Sequence, residues 1–447
     1  MDDVIDLRIQ RVLDEDESSE SSESSSDSSE EADPRQSGDQ ARREEPFVSY
    51  DTSLPVLHSY LGNDLEELSG RTVLDDDSCQ TIPILTLPGV MLIPGQILPL
   101  QLYNPSTISM MIHIIHSDHT FGLINSRYRF SGRIFTNVID TIGTTVEIRS
   151  YREEEGDFGV NNLIIKAEGR QRFEVLETRT QSDGILIGKV RILPELQAGD
   201  PGECSKLSSL NKFAIPPPNL SSKPSNSFQC NQLLHRSSHK YNKYDFANYT
   251  WFPEFVYKMY DANVLMNRIK TTMQSWNKTM HSDAMPCNPK EFSYWVAANL
   301  PLDDRQRLEL LKINEVTHRL RHELKILEEC CVLTCRDCQG IIANREDIFS
   351  MSLQGPQGTY VNPNGYVHEA ITVYKAKGLR LTGRPSTEQS WFPGYAWTIA
   401  ECEVCTSHMG WRFTAVDKSL KPSKFWALCR AAIQNRINGD GDEPNEL

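Results

Sequence analysis

The sequence predicts an α+β chain: a β-rich domain with a helical insertion and a long helix, followed by an all-β domain organised around a metal. Three observations predict it. Short apolar runs broken by Pro and Gly begin at Ile82 and recur as far as Leu193. Apolar residues at helical spacing take over near Asp261 and continue to Glu329. Two Cys-x-x-C pairs then bracket a stretch rich in Gly, Trp and Tyr.

The 447 residues leave room for two or three domains. Residues 1–45 hold 16 Asp/Glu against 5 Lys/Arg, which is −11 of the chain's −15. Nine of the twelve residues from Ser18 to Ser29 are serine. Such a segment buries too little apolar surface to offset its ordering entropy, so a disordered acidic tail is expected over 1–45. The rest carries 41 Lys/Arg and 45 Asp/Glu, a balance unsuited to phosphate neutralisation, so nucleic acid is not an expected partner. No apolar run reaches the 18 residues of a membrane span. The start, Met1-Asp2-Asp3, lacks the basic and apolar regions of a secretory signal. A cytoplasmic and nuclear protein is therefore expected, with its 11 cysteines reduced or metal-bound.

From Ile82 to Gly95 the runs punctuated by Pro83, Pro88 and Pro94 read as edge strands and turns. Pro105 opens a helix with Ile108, Met111, Ile112 and Ile115 on one face. Strands follow at about 121–127, 143–151, 163–168, 173–180 and 185–193, with Asp183-Gly184 as a hairpin turn between the last two. Residues 196–284 read as an insertion, irregular at first and helical over about 261–278. Asn288-Pro289 with Glu291 opens another helix. A long helix over 304–329 buries the stripe Leu308, Leu311, Val316, Leu320, Leu324 and Leu327.

The phosphate loop, the nucleophile elbow and the zinc-protease helix motif are all missing from the sequence, which removes the easiest enzyme readings. His113, His116 and His119 lack companion ligands and read as packing or surface residues. Cys335, Cys338, Cys402 and Cys405 form two knuckles 63 residues apart, able to close a Cys₄ shell around one structural zinc. Cys330 and Cys331 lie just upstream at a helix end and rank behind the knuckles as ligands. Trp391, Trp397 and Trp411 fall within 21 residues, and Trp411 and Phe413 share one face of a strand. That group is either core or an aromatic cage open on one side.

The segments Tyr360-Val361-Asn362-Pro363, Gly383-Arg384-Pro385 and Ser390-Trp391-Phe392-Pro393-Gly394-Tyr395-Ala396-Trp397 resemble the thalidomide-binding (CULT) domain of the cereblon family. Gly169-Arg170-Gln171-Arg172-Phe173 and Val296-Ala297-Ala298-Asn299-Leu300-Pro301 resemble the N-terminal domain of the Lon proteases, which the family carries first. The resemblance implies a Lon N-terminal-like domain over 80–329 and a β-tent-like zinc domain over 330–435, with an acidic tail over 436–447. It implies a substrate-recognition subunit of a cullin–RING ubiquitin ligase that holds cyclic imides, including glutarimide drugs. The ligand set it implies is Asn362, Glu388, Gln389, Trp391, Trp397, Trp411 and Phe413. Its implied partners are substrate proteins and a multi-propeller DNA damage-binding adaptor that docks on the insertion. Gln389 and Asn364 stand where relatives carry histidine, and Ile399 where some carry valine. The competing class is an enzyme similar to the zinc-containing methionine sulfoxide reductases. It would need a reactive thiol, and outside the knuckles the zinc domain offers only Cys429, with Cys330 and Cys331 at its edge.

Overall fold

The computed structural model describes residues 48–62, 64–70, 73–131, 134–155, 161–199, 201, 251–276 and 285–437. The 1–45 tail, residues 202–250 and 277–284 of the insertion, and residues 438–447 lie outside the described residues.

The first domain holds β1 (Glu66–Glu67), β2 (Cys79–Pro88), β3 (Ile97–Leu102), β4 (Thr120–Ser131), β5 (Ile134–Ile139), β6 (Ile142–Glu155), β7 (Asn161–Thr180) and β8 (Leu186–Ile192). β2 pairs with β4, β4 with β6, β6 with β7, β7 with β8, and β8 with β2, so five strands close on themselves. Closure removes the exposed edges that an open sheet would leave. Of these five pairs, β2–β4 alone is parallel. A parallel neighbour requires a crossover, and β3 with a helix supplies it.

After α1 (Leu54–Leu57), that crossover helix is α2 (Pro105–Ile115). Its start follows the sequence: Asn104 Oδ1 accepts from the Ser106 and Thr107 amides, and Pro105 needs no amide partner. Ile108, Met111, Ile114 and Ile115 are buried among barrel residues, each contributing about 1.5–3 kcal/mol of apolar burial.

The strands expected at 163–168 and 173–180 are one strand, β7. It changes partners instead of stopping: Leu163–Glu168 pair with β3, and Phe173–Thr180 with β8. A Cβ at Gly169 would stand 3.0 Å from the Ile93 carbonyl, so the change-over is a place where two backbones pass too closely for a larger side chain.

The helices that follow are α3 (Glu254–Lys258), α4 (Ala262–Trp276), α5 (Pro289–Asn299), α6 (Asp304–Lys312) and α7 (Val316–Glu329). The stretch expected as one helix over 304–329 is therefore two. Buried Arg172 takes the Leu311 carbonyl at 2.6 Å and the Ile313 carbonyl at 3.1 Å. Glu315 caps α7, accepting from the Thr317 and His318 amides. Carbonyls engaged by a guanidinium and amides engaged by a side-chain carboxylate end one helix and start the next.

The second domain is all β. Its strands are β9 (Cys330–Cys335), β10 (Ile341–Asn344), β11 (Gln357–Val361), β12 (Val367–Val373), β13 (Leu379–Ser386), β14 (Tyr395–Cys402), β15 (His408–Ala415), β16 (Lys424–Cys429) and β17 (Ile433–Ile437). They form a sheet ordered β10-β9-β17 and another ordered β11-β12-β16-β15-β14-β13.

A buried ionic cluster joins the domains. Glu369 of β12 accepts from Arg307 of α6 at 2.6 Å and from Arg430 at 2.7 Å. Arg430 also donates to Asp304 at 2.6 Å and to the Gly89 carbonyl at 2.9 Å. Two guanidinium groups face two carboxylates, so the charges balance where water is excluded.

Candidate metal centre and aromatic cage

The two knuckles are the same turn made twice. The Gln339 amide donates to the Cys335 carbonyl and the Thr406 amide to the Cys402 carbonyl, both at 2.9 Å. The Cys335 amide donates to the Gly340 carbonyl and the Cys402 amide to the Ser407 carbonyl. Gln339 and Thr406, each just past the second cysteine, have φ of 63° and 60°. This turn aims both of its sulfurs to one side.

All four sulfurs lie within 4.8 Å of one another. Cys335 Sγ is 3.6 Å from Cys405 Sγ, and Cys338 Sγ is 3.5 Å from Cys402 Sγ. Disulfides need about 2.05 Å, so the thiols are unbonded. Tetrahedral zinc with Zn–S near 2.3 Å puts sulfurs about 3.8 Å apart, which these distances match. Cys335 and Cys402 are buried, and Cys338 and Cys405 half-buried. A closed sulfur shell leaves no coordination position for substrate, so the metal's work is to clamp β9 to the end of β14. His113, His116 and His119 belong to no such group among the described residues.

The three tryptophans belong to a separate hydrophobic cluster of the same domain. Trp391 and Trp411 are edge-to-face with centroids 4.6 Å apart. The β14–β15 register places Trp397 opposite Phe413 and Ile399 opposite Trp411, so all four share one sheet face. Phe413 is 1% exposed and packs on Phe392 and Phe425, making a floor. Trp391 is buried, while Trp397 and Trp411 are half-buried and leave the group open on one side. The Trp391 indole N–H donates to the Val361 carbonyl, and that of Trp397 to the Glu388 carbonyl. Both indoles are thereby fixed in orientation and offer ring faces.

Glu388 and Gln389 are exposed in the turn that enters Trp391, and Gln389 has φ of 48°. Asn362 shapes the neighbouring turn: its amide oxygen accepts from the Asn364 and Tyr366 backbone at 3.1 and 2.9 Å.

Three residues absent from the expected ligand set, with Cys429, which the sequence offered only as a reactive thiol, stand behind these walls. Tyr360 stacks on Trp391 at 4.8 Å and 10°. His368 and His408 set their rings edge-on to Trp411 at 5.0 and 4.8 Å. Cys429 Sγ lies 4.0 Å from His368 Nδ1 and 3.8 Å from His408 Nε2. Burial, and then the charge of His408, hold His368 down to about 4. Burial lowers His408 as well. At neutral pH the two imidazoles that back Trp411 are therefore uncharged. Strand pairing brings Tyr360, His368 and Cys429 to the tryptophans, whereas His408 lies three residues before Trp411 on the same strand.

Residues 81–329 match the family described as the ATP-dependent protease La (LON) substrate-binding domain. Residues 331–446 match the family described as Yippee zinc-binding/DNA-binding /Mis18, centromere assembly. The molecule is thus a Lon-type substrate-binding domain joined to a Yippee-type zinc-binding domain, and its Cys₄ cluster fits one zinc ion. Protein cereblon of Gallus gallus is 47% identical over 414 residues, covering 91% of this chain and 89% of its own. Protein cereblon of Xenopus tropicalis is 48% identical over 411 residues, 91% of this chain and 88% of its own. That of Danio rerio is 46% identical, covering 87% and 89%. The chain belongs to the cereblon family.

Proposed function

We propose that this chain is the non-catalytic substrate-recognition subunit of a cullin–RING ubiquitin ligase. In this reading the cage holds cyclic imides at protein C-termini, or glutarimide drugs, and so presents substrates for ubiquitination and proteasomal degradation in the cytoplasm and nucleus. The observation that carries the reading is the open, uncharged cage of Trp391, Trp397 and Trp411 over Phe413. A neutral ring gains little from cation–π attraction, so its binding rests on ring-face packing and apolar burial. Hydrogen bonds then come from the Glu388–Gln389 turn, which the Trp397 indole already tethers.

The described part of the insertion supports the adaptor partner. Trp251 is 98% exposed and Phe255 62%, with Met259 also exposed, on and beside α3. Large apolar side chains grouped on a surface mark a protein-binding site, here for the multi-propeller DNA damage-binding adaptor. The reductase-like alternative finds little support. Cys429, the thiol nearest the cage, is buried and pushed up to about 12 by that burial, which leaves almost no nucleophilic thiolate.

Calorimetry with a glutarimide tests the cage. Trp397→Ala should weaken binding by roughly 2–3 kcal/mol, about 30–150-fold, with zinc retained. A folded, zinc-loaded variant that bound as tightly as the parent would overturn the ligand assignment. The ligase role is tested separately, by whether the adaptor and cullin copurify from cells.

A further inference from the structure

The two cysteine knuckles come from different sheets. Cys335 ends β9 of the sheet ordered β10-β9-β17, and Cys402 ends β14 of the other. Among the described residues no backbone hydrogen bond joins the two turns. Thiols are weak donors and weak acceptors, so the sulfur contacts across the gap hold the turns only loosely until metal binds.

One strong bond does cross the gap, and neither of its members is a ligand. Ser407 Oγ donates to Asp337 Oδ2 at 2.5 Å, the length of a charge-assisted O–H···O⁻ bond. Asp337 lies between Cys335 and Cys338 of the first knuckle, and Ser407 lies two residues past Cys405 of the second. The Ser407 carbonyl accepts from the Cys402 amide at 2.9 Å, so the turn that aims the sulfurs also aims this hydroxyl.

Charge sets this bond apart from an ordinary surface contact. Four thiolates outweigh the charge of one zinc ion, so a carboxylate set between two of the ligands repels the loaded centre. What Asp337 supplies against that repulsion is the link to the second knuckle. Ser407 Oγ also lies 3.3 Å from Cys405 Sγ. With zinc bound that sulfur carries no proton and can only accept. The hydroxyl has a single proton to give, and the shorter contact, to the carboxylate, is the stronger.

We infer that Ser407 and Asp337 are positioning residues for the metal: their bond latches the knuckles together and holds the four sulfurs in place before zinc arrives. Ligands held in place bind more tightly, because less freedom is lost on binding. Partners outside the ligand shell are commonly worth about 10–100-fold in metal affinity.

The test is competition with EDTA on the full-length protein, reading the zinc that stays bound. Asp337 is exposed and Ser407 half-buried, so neither supports the core. Ser407→Ala and Asp337→Ala should each weaken zinc binding by about tenfold or more. The double variant should be no worse than either single one, because the same bond is lost in all three. Ser407→Thr and Asp337→Asn keep a donor and an acceptor, and should stay within about threefold of the parent. With zinc in excess every variant should still load one ion per chain, which separates a lost latch from a misfolded domain. Parent-like affinity in both alanine variants overturns the inference. So does a loss in Ser407→Ala that Asp337→Ala does not share, since the serine would then serve the Cys405 sulfur alone. Losses that add in the double variant overturn it too. If an alanine variant could not be loaded at all, parent-like affinity in Ser407→Thr and Asp337→Asn would still support the latch, and failure of either would overturn it.

Discussion

The zinc centre and the cage share one domain and much of the same chain, but they are built by different rules. Each half of the zinc site is a self-contained turn: two cysteines, a residue at positive φ, and two backbone hydrogen bonds. The cage has no such local unit. Its walls come from the turn before β14, from β14 and from β15, and they are backed by rings on β11 and β12. The metal site therefore holds the fold, and the cage depends on it. Losing the first should destroy the second, while losing a cage wall should leave the metal in place.

The largest effect tests that asymmetry directly. Zinc binding in small domains contributes on the order of 10 kcal/mol to folding. Chelation, or Cys402→Ser, should unfold the second domain and abolish glutarimide binding with it. Zinc analysis, circular dichroism and calorimetry on one sample would check this. Chelated protein that still bound the imide would break the comparison.

Next in size is the ionic cluster on the opposite face of β12. Neighbouring residues of a strand point to opposite faces, so His368 backs the cage while Glu369 faces α6 of the first domain. Glu369→Leu strands Arg307 and Arg430 without a shared partner. Removing one member of a buried pair costs about 3–5 kcal/mol, which denaturant unfolding should register. Zinc content should stay at one per chain, because the cluster and the knuckles share no residue. Loss of zinc in Glu369→Leu would show that domain docking, and not the sulfur shell alone, maintains the metal site.

What could be read from the sequence follows the same division. The four zinc ligands were legible because chemistry and spacing coincide within four residues. The Asn288 cap was legible for the same reason, being settled by a side chain two residues from its partner amide. The break between α6 and α7 was less visible, although Leu311 and Val316 are five apart, off the helical period. Its cause is Arg172, which reaches from the barrel 139 residues earlier in the chain. Gly169-Arg170 looked like the end of a strand because a change of partner and a stop leave similar sequence traces. Tyr360 and His368 could not have been chosen, since only pairing of β11, β12, β16 and β15 brings them to the tryptophans. His408 is three residues before Trp411, a spacing that puts it on the other face of a regular strand, and the register shift between His408 and Gly410 is not written in the sequence.

A smaller, pH-dependent effect comes from two histidines, the buried His58 and the half-buried His368. Burial, then the charge of Lys166, hold His58 down to about 3, and His368 is held to about 4. In the unfolded chain both titrate near 6.5. Below pH 6.5 the unfolded state therefore binds more protons than the native state, and stability falls as pH drops. Each histidine adds about 1.4 kcal/mol per pH unit once its unfolded form is fully charged. Melting temperature should be flat from pH 8 to 7 and decline below 6.5. His58→Gln should flatten part of that decline. An unchanged slope would mean that His58 is not the neutral, buried group its packing against Tyr60 and Tyr360 requires.

The smallest expected effect is at Gln389, and it asks whether the cage has a fourth wall. The side chain is exposed, and the residue's backbone sits at φ 48° in the turn that leads to Trp391. The neighbouring Glu388 carbonyl holds the Trp397 indole, so the path of the backbone sets the cage geometry. Alanine has the same preference against positive φ as glutamine and adds no strain, so Gln389→Ala should change glutarimide affinity by less than about fivefold, under 1 kcal/mol. Proline cannot adopt positive φ at all. Gln389→Pro should therefore displace the turn, release the Trp397 indole and weaken binding about as much as Trp397→Ala. Calorimetry on the two variants separates backbone from side chain at one position. If alanine proved as damaging as proline, the Gln389 side chain would itself be a wall of the cage.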